Sequence, residues 1–131
     1  MSAEDELAVR NVVARVAQYA DGPDIDAYVA LFTPDAVWDM PGAPRTGHAQ
    51  IRAGSEERRA AGQIGPGSAT RHVVSTTTVR VHADHAEADS VWQFYVDTDK
   101  APRLQLIGTY HDELVRVGHE WKLAHRQISI G

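Results

Sequence analysis

The residue best suited to move a proton in this chain is His72, near the start of the run Thr70 to Val81, TRHVVSTTTVRV. Imidazole is the side chain whose ordinary pKa, about 6.5, lets it accept or release a proton near neutrality. Nearly every residue after His72 is β-branched, which reads as a long strand. Alternate strand residues face opposite ways. The alternation predicts His72, Val74, Thr76 and Thr78 on one face, with Val73, Ser75, Thr77 and Val79 on the other. The His72 face is polar enough to line a pocket and apolar enough to lie partly buried. A histidine so placed acts either as a base or as a core residue bonded to a backbone carbonyl.

The same count places further candidates. In Ala86 to Val96, the residues Ala88, Ser90, Trp92 and Phe94 share the parity of a concave face. In Arg103 to Val117, Leu106, Gly108, Tyr110 and Asp112 share a parity. Tyr110 either points a hydroxyl inward or packs across strands, and Gly108 leaves room for a ligand. His125 shares the inner parity of Trp121 and Leu123, whereas His111 faces outward. His82, Asp84 and His85 stand close in sequence, but in a turn, where such residues are usually solvated rather than metal-bound. The chain has neither a phosphate-cradling glycine loop nor a serine-nucleophile elbow.

These residues need elements to position them. Val9, Val12, Val13, Val16, Ala17 and Ala20 fall on one face of a first helix, with Tyr19 at its border. Gly22-Pro23 breaks it, and Ile25, Tyr28, Val29 and Phe32 mark a second helix that Thr33-Pro34-Asp35 ends. Ala36 to Met40 is a short strand in which Trp38 and Met40 share an apolar face. His48 to Ala61 is a third helix, and Gly62 to Ser68 a glycine-rich mobile loop able to act as a lid. From Thr70 the period changes from 3.6 to 2, giving strands Thr70–Val81, Ala86–Val96, Arg103–Val117 and Trp121–Ile130. Helices followed by an antiparallel meander make one α+β domain spanning residues 1–131, with helices on one face of a curved sheet.

Composition narrows the partners. The 131 residues suffice for one domain with a real core, and the net charge is −5. Nucleic acid is not an expected partner, because phosphate binding needs clustered Lys and Arg. The only adjacent basic pair, Arg58-Arg59, falls on a helix face. No cysteine is present, which removes disulfides, thiolate catalysis and cysteine-held metals. No apolar run approaches the roughly 20 residues of a membrane span, and the acidic start MSAEDELAVR does not read as a secretory leader. A cytoplasmic protein that does not bind membranes is the expectation.

Several ordered pieces resemble the SnoaL-like branch of the nuclear transport factor 2-like superfamily. They are Asp21 and Asp24 at the exit of the first helix, LFTPDAVWDM (Leu31 to Met40), GHAQI (Gly47 to Ile51), TRHVVS (Thr70 to Ser75), GTYHDELVR (Gly108 to Arg116) and WKLAHRQI (Trp121 to Ile128). The resemblance implies a cone-shaped α+β barrel with three N-terminal helices, a pocket between helices and sheet, and a homodimer formed through the outer sheet face. Its members include scytalone dehydratase, steroid isomerases, bile-acid dehydratases, polyketide cyclases and proteins with no known reaction.

By that resemblance, His72 is a general base and Asp21 the carboxylate that orients it. Asp21 has a competing use as a cap for the second helix, and Asp24 reads as a first-turn acid. Dehydratases and steroid isomerases carry a pocket tyrosine where this chain has Val16, so Tyr19, one turn further along, is the candidate substitute. The steroid-isomerase base position is Met40 here, and Asp39 faces the other way, so that mechanism is not expected. The reading is a cofactor-free dehydratase, isomerase or cyclase acting on a hydrophobic oxygenated ring compound. His72 would be the base, Asp21 its partner and Tyr19 or Tyr110 the hydroxyl donor. Val16, Trp38, Met40, Ser90, Trp92, Phe94 and Gly108 would line the pocket. The alternatives are a protein that binds a small apolar ligand without turning it over, and a dimerising accessory subunit of the same fold.

Overall fold

A computed structural model describes residues 2–131. Its elements are α1 (Ala3–Asp21), α2 (Ile25–Val29), β1 (Phe32–Asp39), β2 (Arg45–Thr46), α3 (Gly47–Ala60), β3 (Arg71–His82), β4 (His85–Val96), β5 (Arg103–Val117) and β6 (Glu120–Ile130). The helices pack on a six-stranded sheet of order β2-β1-β6-β5-β4-β3. The sheet does not close, so β2 and β3 are its edges. β1 runs parallel to β6, and the other pairs are antiparallel.

The α1 helix starts because the Ser2 hydroxyl accepts from the Asp5 N–H at 3.1 Å and Glu4, Asp5 and Glu6 favour the positive end of its dipole. Its buried stripe is Val9, Val12, Val13, Val16, Ala17 and Ala20. This stripe lies against Ala86, Ala88, Leu114 and Leu123 of the sheet, and the core forms between them. Asp24, not Asp21, caps α2, accepting from the Ala27 N–H at 3.1 Å. That leaves Asp21 available for other partners.

Phe32 to Asp35 corrects the sequence expectation: they begin β1 instead of finishing α2. Pro34 lies between Phe32 and Val37, where the register with β6 shifts. A residue without an N–H is tolerated in a strand where ladder pairing lapses.

Three bulges decide which side chains face the helices. In β3, Val74 is opposite Trp92 but Thr76 is opposite Val91, so Ser75 is an extra residue. Parity reverses there. His72 and Val74 therefore share their face with Thr77, Val79 and Val81, and the expected placement of Thr76 and Thr78 beside His72 is wrong. In β5, Phe94 is opposite Leu106 and Tyr95 opposite Leu104, which makes Gln105 the extra residue. In β6, Glu113 is opposite His125 and Leu114 opposite Leu123, which makes Ala124 the extra residue. The third bulge turns His125 outward, 3.4 Å from Glu113, and turns Arg126 inward.

Candidate active site

β3 leaves the Gly62–Ser68 loop and passes the end of α1 at its second residue, and there His72 meets Asp21. The Asp21 carboxylate takes His72 Nδ1 on one oxygen and the His72 backbone N–H on the other, both at 2.8 Å. The two side chains are 20% and 14% exposed. An ionised carboxylate only accepts, so this contact assigns a proton to Nδ1, and in the neutral ring Nε2 is then the lone-pair nitrogen. The ring tilts against Phe94, with centroids 4.8 Å apart.

The end of α1 is held from outside the helix. Its last turn carries no basic residue. Arg59 of α3 supplies the charge, donating to the carbonyls of Gly22 at 2.6 Å, Tyr19 at 3.1 Å and Ala20 at 3.1 Å. These are the orphan carbonyls of a helix C-terminus, and a guanidinium there also complements the dipole. Arg59 thus fixes the segment that carries Asp21.

His72 lines two adjoining cavities. The outer one holds about 500 Å³ and is walled by Trp38, Met40, Trp92, Phe94, Leu106 and Ile128 among others. The inner one holds about 50 Å³ between α1, α2 and the sheet, and is bounded by Val16, Tyr28, Arg58, Tyr110 and Arg126. Ile64 of the loop walls both. The loop is tied down where it meets β3: Ser68 Oγ donates to the Gly65 carbonyl at 2.7 Å, and Thr70 Oγ1 to that of Gln63 at 2.8 Å.

Tyr110 borders both cavities and stacks on Trp92 at 5.7 Å. Burial pushes its hydroxyl up to about 12, with Arg126 acting in the opposite direction. It therefore stays protonated at neutral pH, a hydroxyl with a hydrogen to donate. Arg126 lies over its ring at 3.7 Å and donates twice to the buried Asp112, at 2.8 and 2.9 Å. Burial disfavours the charge on Arg126, but Asp112 outweighs this and holds its pKa above the ordinary value.

The other candidates separate. Tyr19 borders neither cavity; it packs half-buried against the core, so the substitute hydroxyl expected of it does not reach the pocket. Ser90 faces inward but lies beneath the cavities, within 3.4 Å of Thr77 Oγ1. Gly108 leaves no space for a ligand, because a Cβ there would collide with the Ser129 carbonyl oxygen and stand 2.8 Å from the Trp92 ring: backbone and indole already fill the gap. His111 faces outward and bonds Asp89 at 2.7 Å. Among the described residues no group of three or more His, Asp or Glu side chains could hold a metal ion.

Sequence reasoning missed Arg58, Gln105 and Arg126. Arg58 sits in a polar helix whose pocket-facing side carries no apolar stripe to mark it. Gln105 and Arg126 reach inward only because of the bulges in β5 and β6.

The family described as SnoaL-like domain matches residues 1–127. The chain belongs to the SnoaL-like family. No curated protein matches it. Solved structures share the fold of this SnoaL-like chain. A cystatin-like-fold protein of unknown function from Nostoc punctiforme is 21% identical, with a TM-score of 0.88 over 100% of this chain and 94% of its own. ActVI-ORFA from Streptomyces coelicolor is 26% identical, with a TM-score of 0.79 over 95% of each chain. A protein from Novosphingobium aromaticivorans, provisionally described as a scytalone dehydratase, is 21% identical, with a TM-score of 0.77 over 97% of this chain and 84% of its own. No helix of the described residues is long and apolar enough to cross a membrane.

Proposed function

We propose that this SnoaL-like protein is a small lyase- or isomerase-type enzyme, a dehydratase or cyclase, acting on a hydrophobic oxygenated ring compound. The observation that carries this reading is the Asp21–His72 pair opening onto an apolar-walled cavity of about 500 Å³. Asp21 fixes the tautomer, and Nε2 takes a proton from the carbon next to a carbonyl. The electron pair of that C–H bond forms an enolate. In a dehydration the imidazolium then returns the proton to a departing β-hydroxyl, which leaves as water. The step balances without an electron acceptor. Tyr110 donates its hydroxyl hydrogen to a substrate oxygen. A second copy of the chain, seated on the outer sheet face near Val91, Gln93 and Ile107, completes the proposed partners.

The test is hydrogen–deuterium exchange at the carbon next to the carbonyl, followed by NMR in heavy water across a panel of cyclic hydroxyketones. Removing a general base costs typically 10²–10⁴-fold, so His72→Ala is expected to lose about that much. Near wild-type exchange in His72→Ala would sink the assignment.

One observation favours a second reading. Val16 and Met40 place apolar groups on the cavity walls, and Tyr19 stands away. A protein that only holds an apolar ligand would bind members of the same panel and exchange none of them.

A further inference from the structure

Arg58 is a cation at the cavity wall with no anion of its own. It lies in the last turn of α3, borders both cavities, and rests its guanidinium carbon 4.8 Å from the Trp38 ring centroid. Among the described residues no carboxylate or carbonyl bonds it. The acids around it are committed elsewhere: Glu57 to Arg45 at 2.7 Å, Asp21 to His72, and Asp112 to Arg126. Burial draws its pKa below the ordinary value, with Tyr28 and Glu57 acting against this and Arg45 and Arg59 with it. Gly54 makes the room for both guanidinia, since a Cβ there would stand 3.1 Å from Arg58 Nη1 and 3.2 Å from Arg45 Nε. A partly desolvated guanidinium is costly unless something of opposite charge completes it.

Charge balance identifies that missing charge. Asp112 and Arg126 cancel each other. Arg59 is spent on the carbonyls that end α1 and borders neither cavity; of the charges left, with His72 neutral, Asp21 and Arg58 cancel across the site. After His72 takes a proton, the Asp21–His72 pair is neutral and Arg58 stands alone. The same event puts one negative charge on the substrate oxygen. The inner cavity of about 50 Å³ has room for a projecting oxygen but not for a ring. The Tyr28 and Tyr110 side chains share its wall.

We infer that Arg58 is the oxyanion-binding residue of this site, and that the substrate class is a cyclic ketone whose carbonyl oxygen enters the inner cavity while its ring stays in the outer one. This rests on the proposed proton abstraction. As the C–H bond breaks, its pair becomes the C=C bond, the carbonyl π pair moves to oxygen, and the forked guanidinium donates hydrogen bonds to the resulting oxyanion.

An aromatic phenolate imitates the enolate without needing turnover. 4-Nitrophenol reports its own ionisation by absorbance, so its titration can be followed free and bound. The wild-type protein is expected to bind the phenolate in preference to the phenol, lowering the apparent pKa of the bound dye by about one unit, a tenfold preference. Arg58→Met, which keeps a stem over Trp38, should lose that preference and still bind the phenol within about threefold; Arg58→Gln serves if the first variant does not fold. Arg58→Lys should recover part of it, because it keeps the charge without the fork. His72→Gln should keep it, which separates the oxyanion site from the base. Three outcomes would overturn the inference: no binding of either form by wild type, a bound dye that stays neutral, or equal phenolate preference in wild type and Arg58→Met. Preserved preference in His72→Gln together with unchanged proton exchange in His72→Ala would leave Arg58 assigned and remove only the base.

Discussion

Asp21 holds His72 twice, by the ring nitrogen and by the backbone N–H, each at 2.8 Å. One carboxylate therefore fixes both the orientation of the imidazole and the path of β3 beneath it. Removing the acid strands two donors, whereas replacing the imidazole strands none. Unmet buried donors cost about 1–3 kcal/mol each, less where water reaches them. Asp21→Ala is expected to lower the urea midpoint more than His72→Gln. Equal midpoints for the two variants would show that the backbone contact contributes nothing.

The Asp112–Arg126 pair calls for a cycle of variants. Both side chains are essentially sealed, at 0% and 3% exposure. Breaking such a pair leaves one buried charge and costs about 3–5 kcal/mol, while replacing both partners with apolar groups is often neutral. Arg126→Met alone should unfold at markedly lower urea concentration. Asp112→Leu combined with Arg126→Met should recover most of the loss. A double variant as weak as either single one would contradict this.

On the outer face, His111 and Asp89 make stability depend on pH. The hydrogen bond to Asp89 raises the pKa of His111, and the bond to His111 lowers that of Asp89. Stability from a raised histidine is complete below about 6.5, its unfolded value, and disappears as pH rises through the folded one. Stability from a lowered aspartate is present above about 4 and disappears as pH falls through its folded value. The pair therefore contributes most between these limits. His111→Gln should separate from wild type in thermal unfolding at pH 5.5 and converge with it at pH 9. The exposed setting keeps the gap small, within about 1 kcal/mol. A gap that widens toward pH 9 would reverse the sign.

Much of this architecture could be read from periodicity. The α1 stripe, the concave face of β4 and the strand bounds of β5 followed from spacing 3.6 and spacing 2. Spacing loses its power at an inserted residue. Ser75, Gln105 and Ala124 are ordinary residues, and nothing about them announces a bulge. Beyond each one, parity counted along the strand reports the wrong face. Asp24 was legible as an acid at a helix start, but its capping bond, which frees Asp21, depends on where α1 ends. The charge state of the cavity was hidden for another reason. Whether Arg58 has a partner depends on its neighbour Glu57, drawn off by Arg45, and on acids 37 residues before it and 54 after it, and no local pattern records that they are already taken.

The bulges also bear on how relatives of this chain should be compared. In an unbroken strand, a deleted residue shifts the register and the ladder tolerates it poorly. At Ser75 or Ala124 a deletion restores a regular ladder and keeps every pairing, so Val74 and Thr77, or Leu123 and Arg126, still face inward. A gap at one of these two positions in an alignment of homologues therefore leaves the cavity lining in place, whereas a one-residue gap elsewhere in β3 or β6 exchanges it. Lining residues in this fold are matched between relatives through their ladder partners, not by counting along the strand.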